Sequence, residues 1–275
     1  MNKQNQHIVS QVYLKQFGYV ENNQWKVSVL KLGEHFTRQK NIKSFLAEYD
    51  IFKIDSNDEN IINAFENLNT EIENYYRSIL SNIESNKPLS DNNQAILLQY
   101  ISNLIVRSKI CRKYIVSFSK HENYKSFLRL ITKNQSEEFI MDLINQGIDY
   151  SLNRILILYM NYLYESILIH YDIIILKSVE GKAWFTSDNP VIIYPKYSFN
   201  FKLESEFYFP FTSEFLIYLH NKNSEQNDNP HKFLESNIVH EAETTFLDKF
   251  AREIAPRNAI EYVIMPDKIQ HRFQE

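Results

Sequence analysis

Glycine is scarce in this 275-residue chain: four residues in all, none in a GxxxxGK[ST] or GxGxxG arrangement. A phosphate-cradling loop, which needs backbone amides close to an anion, is therefore excluded. Cysteine occurs once, as Cys111. That rules out an internal disulfide and any cysteine-cluster zinc site, and it fits a reducing cytoplasm. The nearest approach to a long apolar run, 152–169, is broken by Asn153, Arg154, Asn161 and Glu165, so it reads as a buried helix rather than a bilayer span. Met1-Asn2-Lys3-Gln4-Asn5-Gln6 lacks the apolar core of a signal peptide, and a cytoplasmic location with no membrane partner is expected. No GxSxG nucleophile elbow occurs. His220, His231, His240 and His271 are spread without HExxH spacing, and His240-Glu241 lacks a second histidine. The net charge of −4 argues against a general coat of phosphate-binding residues.

Aromatic residues, by contrast, are plentiful. Eighteen tyrosines and nineteen phenylalanines, within 44% hydrophobic residues, supply a large core. Helical spacing of apolar residues recurs at 7–17, 57–85, 90–118, 123–131, 136–145 and from about 149 to 170. Asn57-Asp58 and Ser90-Asp91 stand as N-caps before the two longest of these. Strands are expected at 24–32 and within 45–54, then at 172–176, 207–211, 215–219 and 259–265, with a polar loop over 221–230 and a late helix over 236–253. Helices precede strands. The expected fold is one α+β domain spanning 1–275, with a helix-rich part (1–170) packed on a small, largely antiparallel sheet (171–275).

The stretch Trp184 to Tyr194 sets two β-prone runs around Ser187-Asp188-Asn189-Pro190. Asp and Asn bond their own backbone, proline presets the turn, and the residue before it is pushed toward extended geometry. This reads as strand, tight turn, strand. Either the turn merely joins strands, or it mounts a polar site on a rigid support. A second feature is the segment Arg107 to Lys133. It carries Arg107, Lys109, Arg112, Lys113, Lys120, Lys125, Arg129 and Lys133 against Glu122 alone, about +7, with Tyr114, Phe118, Tyr124 and Phe127 interleaved. Such a mixture suits single-stranded nucleic acid. It equally suits a solvated helix face with inward aromatics.

His7-xx-Ser10-xx-Tyr13-Leu14-xx-Phe17 resembles HxxPxxYLxxF, which opens a widespread, mainly bacterial family, domain of unknown function 4238. Further motifs resemble that family in order: Glu66 and Ile72-Glu73 on an early helix, Arg107, Ser187-Asp188-Asn189-Pro190-Val191, Phe209-Pro210-Phe211-Thr212 beside its (F/Y)PLS, and Asn237. Ser10 replaces the family's proline, and Ser108 its usual threonine after the arginine. The resemblance implies a fold and a set of marked residues, not a reaction.

Physical chemistry ranks those residues. His7, Glu73, Arg107 and Asp188 are an adequate kit for general acid–base hydrolysis of a phosphodiester. His7 would move a proton near neutral pH. Asp188 or Glu73 would act as the complementary base or hold a divalent metal through oxygen. Arg107 would clamp phosphate. Lys109, Arg112, Lys120, Ser187, Asn189 and Asn237 would line the substrate path. The expected function is then a cytoplasmic, nuclease-like hydrolase of nucleic acid or nucleotide in a stress or defence setting. The alternative is a non-catalytic binding or regulatory module, whose polar residues staple the helical half to the β half.

Overall fold

The computed structural model describes residues 4–133, 135–194, 205–222 and 230–266. The chain opens on strands and one helical turn: β1 (Asn5–His7), α1 (Gln11–Leu14), β2 (Tyr19–Glu21), β3 (Gln24–Lys31), β4 (Thr37–Asn41) and β5 (Ala47–Tyr49). A helical block follows, with α2 (Glu59–Ile62), α3 (Ala64–Asn74), α4 (Tyr76–Glu84), α5 (Asp91–Arg107), α6 (Lys109–Phe118), α7 (Tyr124–Thr132), α8 (Glu137–Asn145) and α9 (Ile148–His170). The last part contains β6 (Tyr171–Lys177), β7 (Thr186–Ser187), β8 (Ile192–Tyr194), β9 (Glu206–Pro210), β10 (Phe215–Asn221) and β11 (Val239–Glu241). It ends with α10 (Thr244–Lys249), a π-helical turn (Phe250–Ile254), α11 (Ala255–Asn258) and β12 (Tyr262–Met265). The fold is α+β.

Two five-stranded sheets organise these elements. One runs β11-β6-β10-β9-β8 and is antiparallel except for the parallel β11–β6 pair. The other runs β2-β3-β12-β7, with β4 also on β3, so the C-terminal strand is laid between N-terminal and central ones. Period-two alternation splits β6 and β10 between two cores. Ile173, Ile175, Ile217 and Leu219 face the helical block. Ile174, Leu176, Leu216 and Tyr218 face Trp184, Leu247 and Phe250. No helix among the described residues is long and apolar enough to cross a membrane.

Several elements differ from the periodicity reading, each for a local reason. The helix-rich part starts at Glu59; the preceding fifty residues are mostly strand and turn. Gly18 stands after α1 because a Cβ there would lie 2.5 Å from the Lys26 carbonyl oxygen. The helix expected over 57–85 is broken at Asn63, whose side chain bonds the Glu59 carbonyl at 3.2 Å, and again at Tyr75. The helix expected over 90–118 breaks at Ser108, which takes extended backbone angles (φ −60°, ψ 144°) and caps α6 by accepting from the Cys111 amide at 3.1 Å. The late helix begins only at Thr244. Asn237 has φ +64°, which no helix tolerates, and 239–241 pair with β6 instead. The polar loop expected over 221–230 falls largely outside the described residues.

Candidate functional site

Arg107 is the centre of the polar interior. It ends α5, is 1% exposed, and stacks its guanidinium over the Phe52 ring at 5.2 Å. Nη1 donates to Glu73 Oε1 at 2.8 Å and to Asn103 Oδ1 at 3.2 Å, one helical turn back. Nη2 donates to the backbone carbonyl of His7. Nε is buried without a hydrogen-bond partner among the described residues. From α3, Glu66 accepts from Asn69 at 3.2 Å, and Asn69 in turn accepts from Asn103 at 2.7 Å. The spacing of Glu66, Asn69 and Glu73 puts them on one helix face toward α5.

Protonation follows burial in this cluster. Desolvation raises the Glu73 pKa, with Arg107 opposing it. Burial lowers the His7 pKa, and the positive charge of Arg107 adds to this, while the hydrogen bond between Nε2 and the Ile42 carbonyl (3.2 Å) opposes. Burial thus favours the uncharged form of both groups.

Asp188 is not part of that cluster. Its Oδ1 accepts from the Ile260 amide at 2.8 Å, and its Oδ2 from Glu261 at 2.8 Å and Tyr262 at 3.2 Å. It forms no ion pair with a described cation, and it is 6% exposed. Burial raises its pKa, and the three amides offset part of the rise. The carboxylate caps the start of β12. Ser187 closes the turn through the Asn189 amide (3.1 Å) and carbonyl (2.9 Å). Asn189 donates to Asn258, which donates back to the Asn189 and Val191 carbonyls. The flanking strands do not pair with each other: β7 joins β12, and β8 joins β9. The turn is therefore a crossing between sheets rather than a hairpin. Asn258 was not legible in the sequence; it is a lone Asn in a helical turn.

The remaining marked motifs bind one another. Tyr13 bonds Thr186 at 2.5 Å and donates to the Pro210 carbonyl at 2.8 Å, with its ring stacked on Phe209. Tyr76 donates to the Phe211 carbonyl and stacks on that ring at 4.3 Å. Ser10 caps α1 and bonds Tyr100 at 2.9 Å. Its φ of −62° is the angle a proline ring would impose. Burial pushes the pKa of all three tyrosines up, which keeps them protonated. Asn237 accepts from the Leu89 amide at 2.9 Å and donates to the Leu89 carbonyl at 2.8 Å, pinning the loop before α5 to the strand-rich part.

Charge in the segment from Arg107 to Lys133 is largely matched from elsewhere. Lys109 pairs with Glu48 at 2.7 Å, Lys125 and Arg129 with Glu137, and Lys133 with Glu165. Arg112 donates to Asn153 at 2.8 Å and to the Ile51 carbonyl at 3.0 Å. Lys113 and Lys120 are exposed. The aromatics pack on one another, Phe118 against Tyr114 and Phe127, and Phe127 against Tyr159. Cys111 is buried, its thiol pushed up to about 12, which makes it a poor nucleophile. Among the described residues, no group of three or more His, Cys, Asp or Glu is gathered as metal ligands would be.

Contacts join the N-terminal tyrosine helix, the helix arginine and the SDNP turn into one α+β fold, in the motif order read from the sequence. The chain belongs to the family described as protein of unknown function DUF4238, whose family model matches residues 5–268. No curated protein and no solved structure matches it.

Proposed function

We propose that the protein is a cytoplasmic binding or regulatory module, and that His7, Glu73, Arg107 and Asp188 serve its architecture rather than a reaction at a shared centre. The observation that carries this reading is where Arg107 and Asp188 spend their hydrogen-bonding capacity. Arg107 is committed to Glu73, Asn103 and the His7 carbonyl. Asp188 is committed to three consecutive amides at the start of β12. Groups bonded in this way are held by the fold, although Arg107 keeps one nitrogen unpaired among the described residues, and freeing them for a substrate would expose a buried charge. Matched charge along 107–133 points the same way, since a nucleic-acid surface needs unpaired cations on one face.

A hydrolase of nucleic acid or nucleotide is the second reading. It draws on one observation: Glu73 and the His7 carbonyl both bond Arg107, and burial lowers the His7 pKa and raises that of Glu73. The experiment that separates the two replaces the Arg107–Glu73 pair by apolar residues of similar length, Arg107→Met with Glu73→Leu. For a structural pair the double change costs less than either single one, because the desolvation cost leaves with the charges and only the Asn103 and His7 oxygens lose a donor. The double variant is expected to fold and to keep the cellular phenotype of the wild-type protein. A folded double variant without that phenotype would return the assignment to hydrolysis.

A further inference from the structure

On the sheet face turned toward Trp184 and Phe250, a polar row crosses three strands. Alternation puts Glu206 and Tyr208 of β9 on one face. Tyr218 lies opposite Tyr208, so Tyr218 and His220 of β10 share that face. His220 is in turn the cross-strand partner of Asp172 in β6.

Glu206 is 2% exposed, and its only ion-pair partner among the described residues is His220. Tyr208 donates to Oε2 at 2.9 Å and Tyr218 donates to Oε1. His220 Nδ1 lies 3.5 Å from Glu206 Oε1 and 3.2 Å from the Tyr218 oxygen. A carboxylate only accepts, so the Tyr218 proton goes to Glu206, and the Tyr218 oxygen accepts from Nδ1–H. The network thereby assigns the proton to Nδ1 and leaves the lone pair on Nε2, which has no hydrogen-bond partner among the described residues. A buried carboxylate that orients an imidazole at Nδ1 through a bridging tyrosine hydroxyl leaves the other nitrogen free to act as a base or nucleophile. The row also leads outward: the His220 side chain is 11% exposed, and that of Asp172, paired with Lys222 at 3.6 Å, is 42% exposed.

We propose that His220 is an activated imidazole that accepts acyl groups from small, uncharged esters, with Glu206 and Tyr218 as its positioning residues. Two carboxylates in the row disfavour an anionic substrate, and the small exposed area admits only a small one. The proposal goes beyond the reading above, because it uses none of the family-marked residues. In the step, the Nε2 lone pair attacks the acyl carbon. The ester C–O bond breaks, and the alkoxide or phenoxide leaves with the electron pair. The acyl-imidazolium faces Glu206. Water then adds, one of its protons offsetting the charge of the departed oxyanion and the other that of the carboxylate product, and neutral His220 returns.

The test uses the full chain and two probes. Diethyl pyrocarbonate modification, mapped by mass spectrometry, compares His220 with the exposed His35. An inert buried imidazole reacts more slowly than an exposed one, so faster modification of His220 than of His35 is the expected result. Hydrolysis of p-nitrophenyl acetate is expected to fall about a hundredfold in His220→Gln, the scale of a lost acid–base group. Glu206→Gln is expected to slow modification of His220 and displace its pH profile, and Glu206→Asp to restore part of both. Slower modification of His220 than of His35 in the wild-type protein, or hydrolysis that persists in His220→Gln, overturns the proposal. An unchanged rate and pH profile in Glu206→Gln removes the positioning role.

Discussion

The Arg107 guanidinium donates to the backbone carbonyl of His7, one hundred positions earlier in the chain. The same side chain holds Glu73 of α3 at 2.8 Å. One residue thus ties the first strand and an early helix to the end of the longest helix before α9. Removing it with Arg107→Ala leaves a buried carboxylate and a carbonyl without their donor, and should destabilise the fold by about 3–5 kcal/mol. Urea denaturation measures this. Arg107→Lys should recover only part of the loss, because an ammonium cannot span both acceptors in one plane.

His7 gives a pH signature. Its pKa is lowered from 6.5, first by burial. Below that value the unfolded chain takes up a proton that the folded chain resists, so stability should fall as pH drops through the window beneath 6.5, then level once the folded form is also protonated. Glu73 and Asp188 carry raised pKa values and act oppositely: their contribution falls as pH rises from their unfolded to their folded values. Denaturant midpoints measured from pH 4 to 8, for wild type and His7→Gln, should differ in slope just below neutrality. Parallel curves would show that His7 is not the group responsible.

Nucleic-acid binding should be absent. Lys125 is held by Glu137, while Lys113 and Lys120 are exposed. Fluorescence anisotropy with single-stranded RNA and DNA at low salt is expected to show no saturable binding, and Lys120→Ala with Lys125→Ala to change nothing. Affinity that falls steeply with salt and is lost in the double variant would contradict this.

Asn237 tests the clamp between halves. At φ +64° it occupies the left-handed region, and its amide makes two bonds to Leu89. Asn237→Gly keeps the backbone angle and removes both bonds. It should cost about 2 kcal/mol at roughly 1 kcal/mol for each hydrogen bond, and Asn237→Ala more because the angle is then strained.

Much of this architecture was legible in the chain. The 3.6-residue pattern located the helical block, and the β-branched run near 174 and the short apolar run near 217 located the central strands. What periodicity cannot carry is pairing across long separations. Nothing local to 262–265 says that it lies between β3 and β7, and short polar strands such as Thr37–Asn41 have no apolar alternation to betray them. The site shows the same division. Glu73 and the backbone carbonyl of His7 meet at Arg107, while the His7 ring turns to the Ile42 carbonyl. Asp188 looked like their fourth member because a carboxylate on a rigid turn suits either a substrate or three amides, and only the fold shows which donors arrive. Glu206 and His220 were missed because E-x-Y and Y-x-H read as ordinary strand alternation until β9 and β10 are laid side by side.

The most direct measurement is the thermal melt of Asp188→Asn beside wild type. The amide keeps the shape but replaces one accepting oxygen with a donor facing backbone N–H groups at 260–262. Bonds to a charged acceptor are worth about 1.5–3 kcal/mol, so for a chain of this size the midpoint should fall by roughly 3–5 °C. A midpoint unchanged within a degree or two, together with loss of the protein's cellular activity, would show that Asp188 serves chemistry and not the start of the last strand.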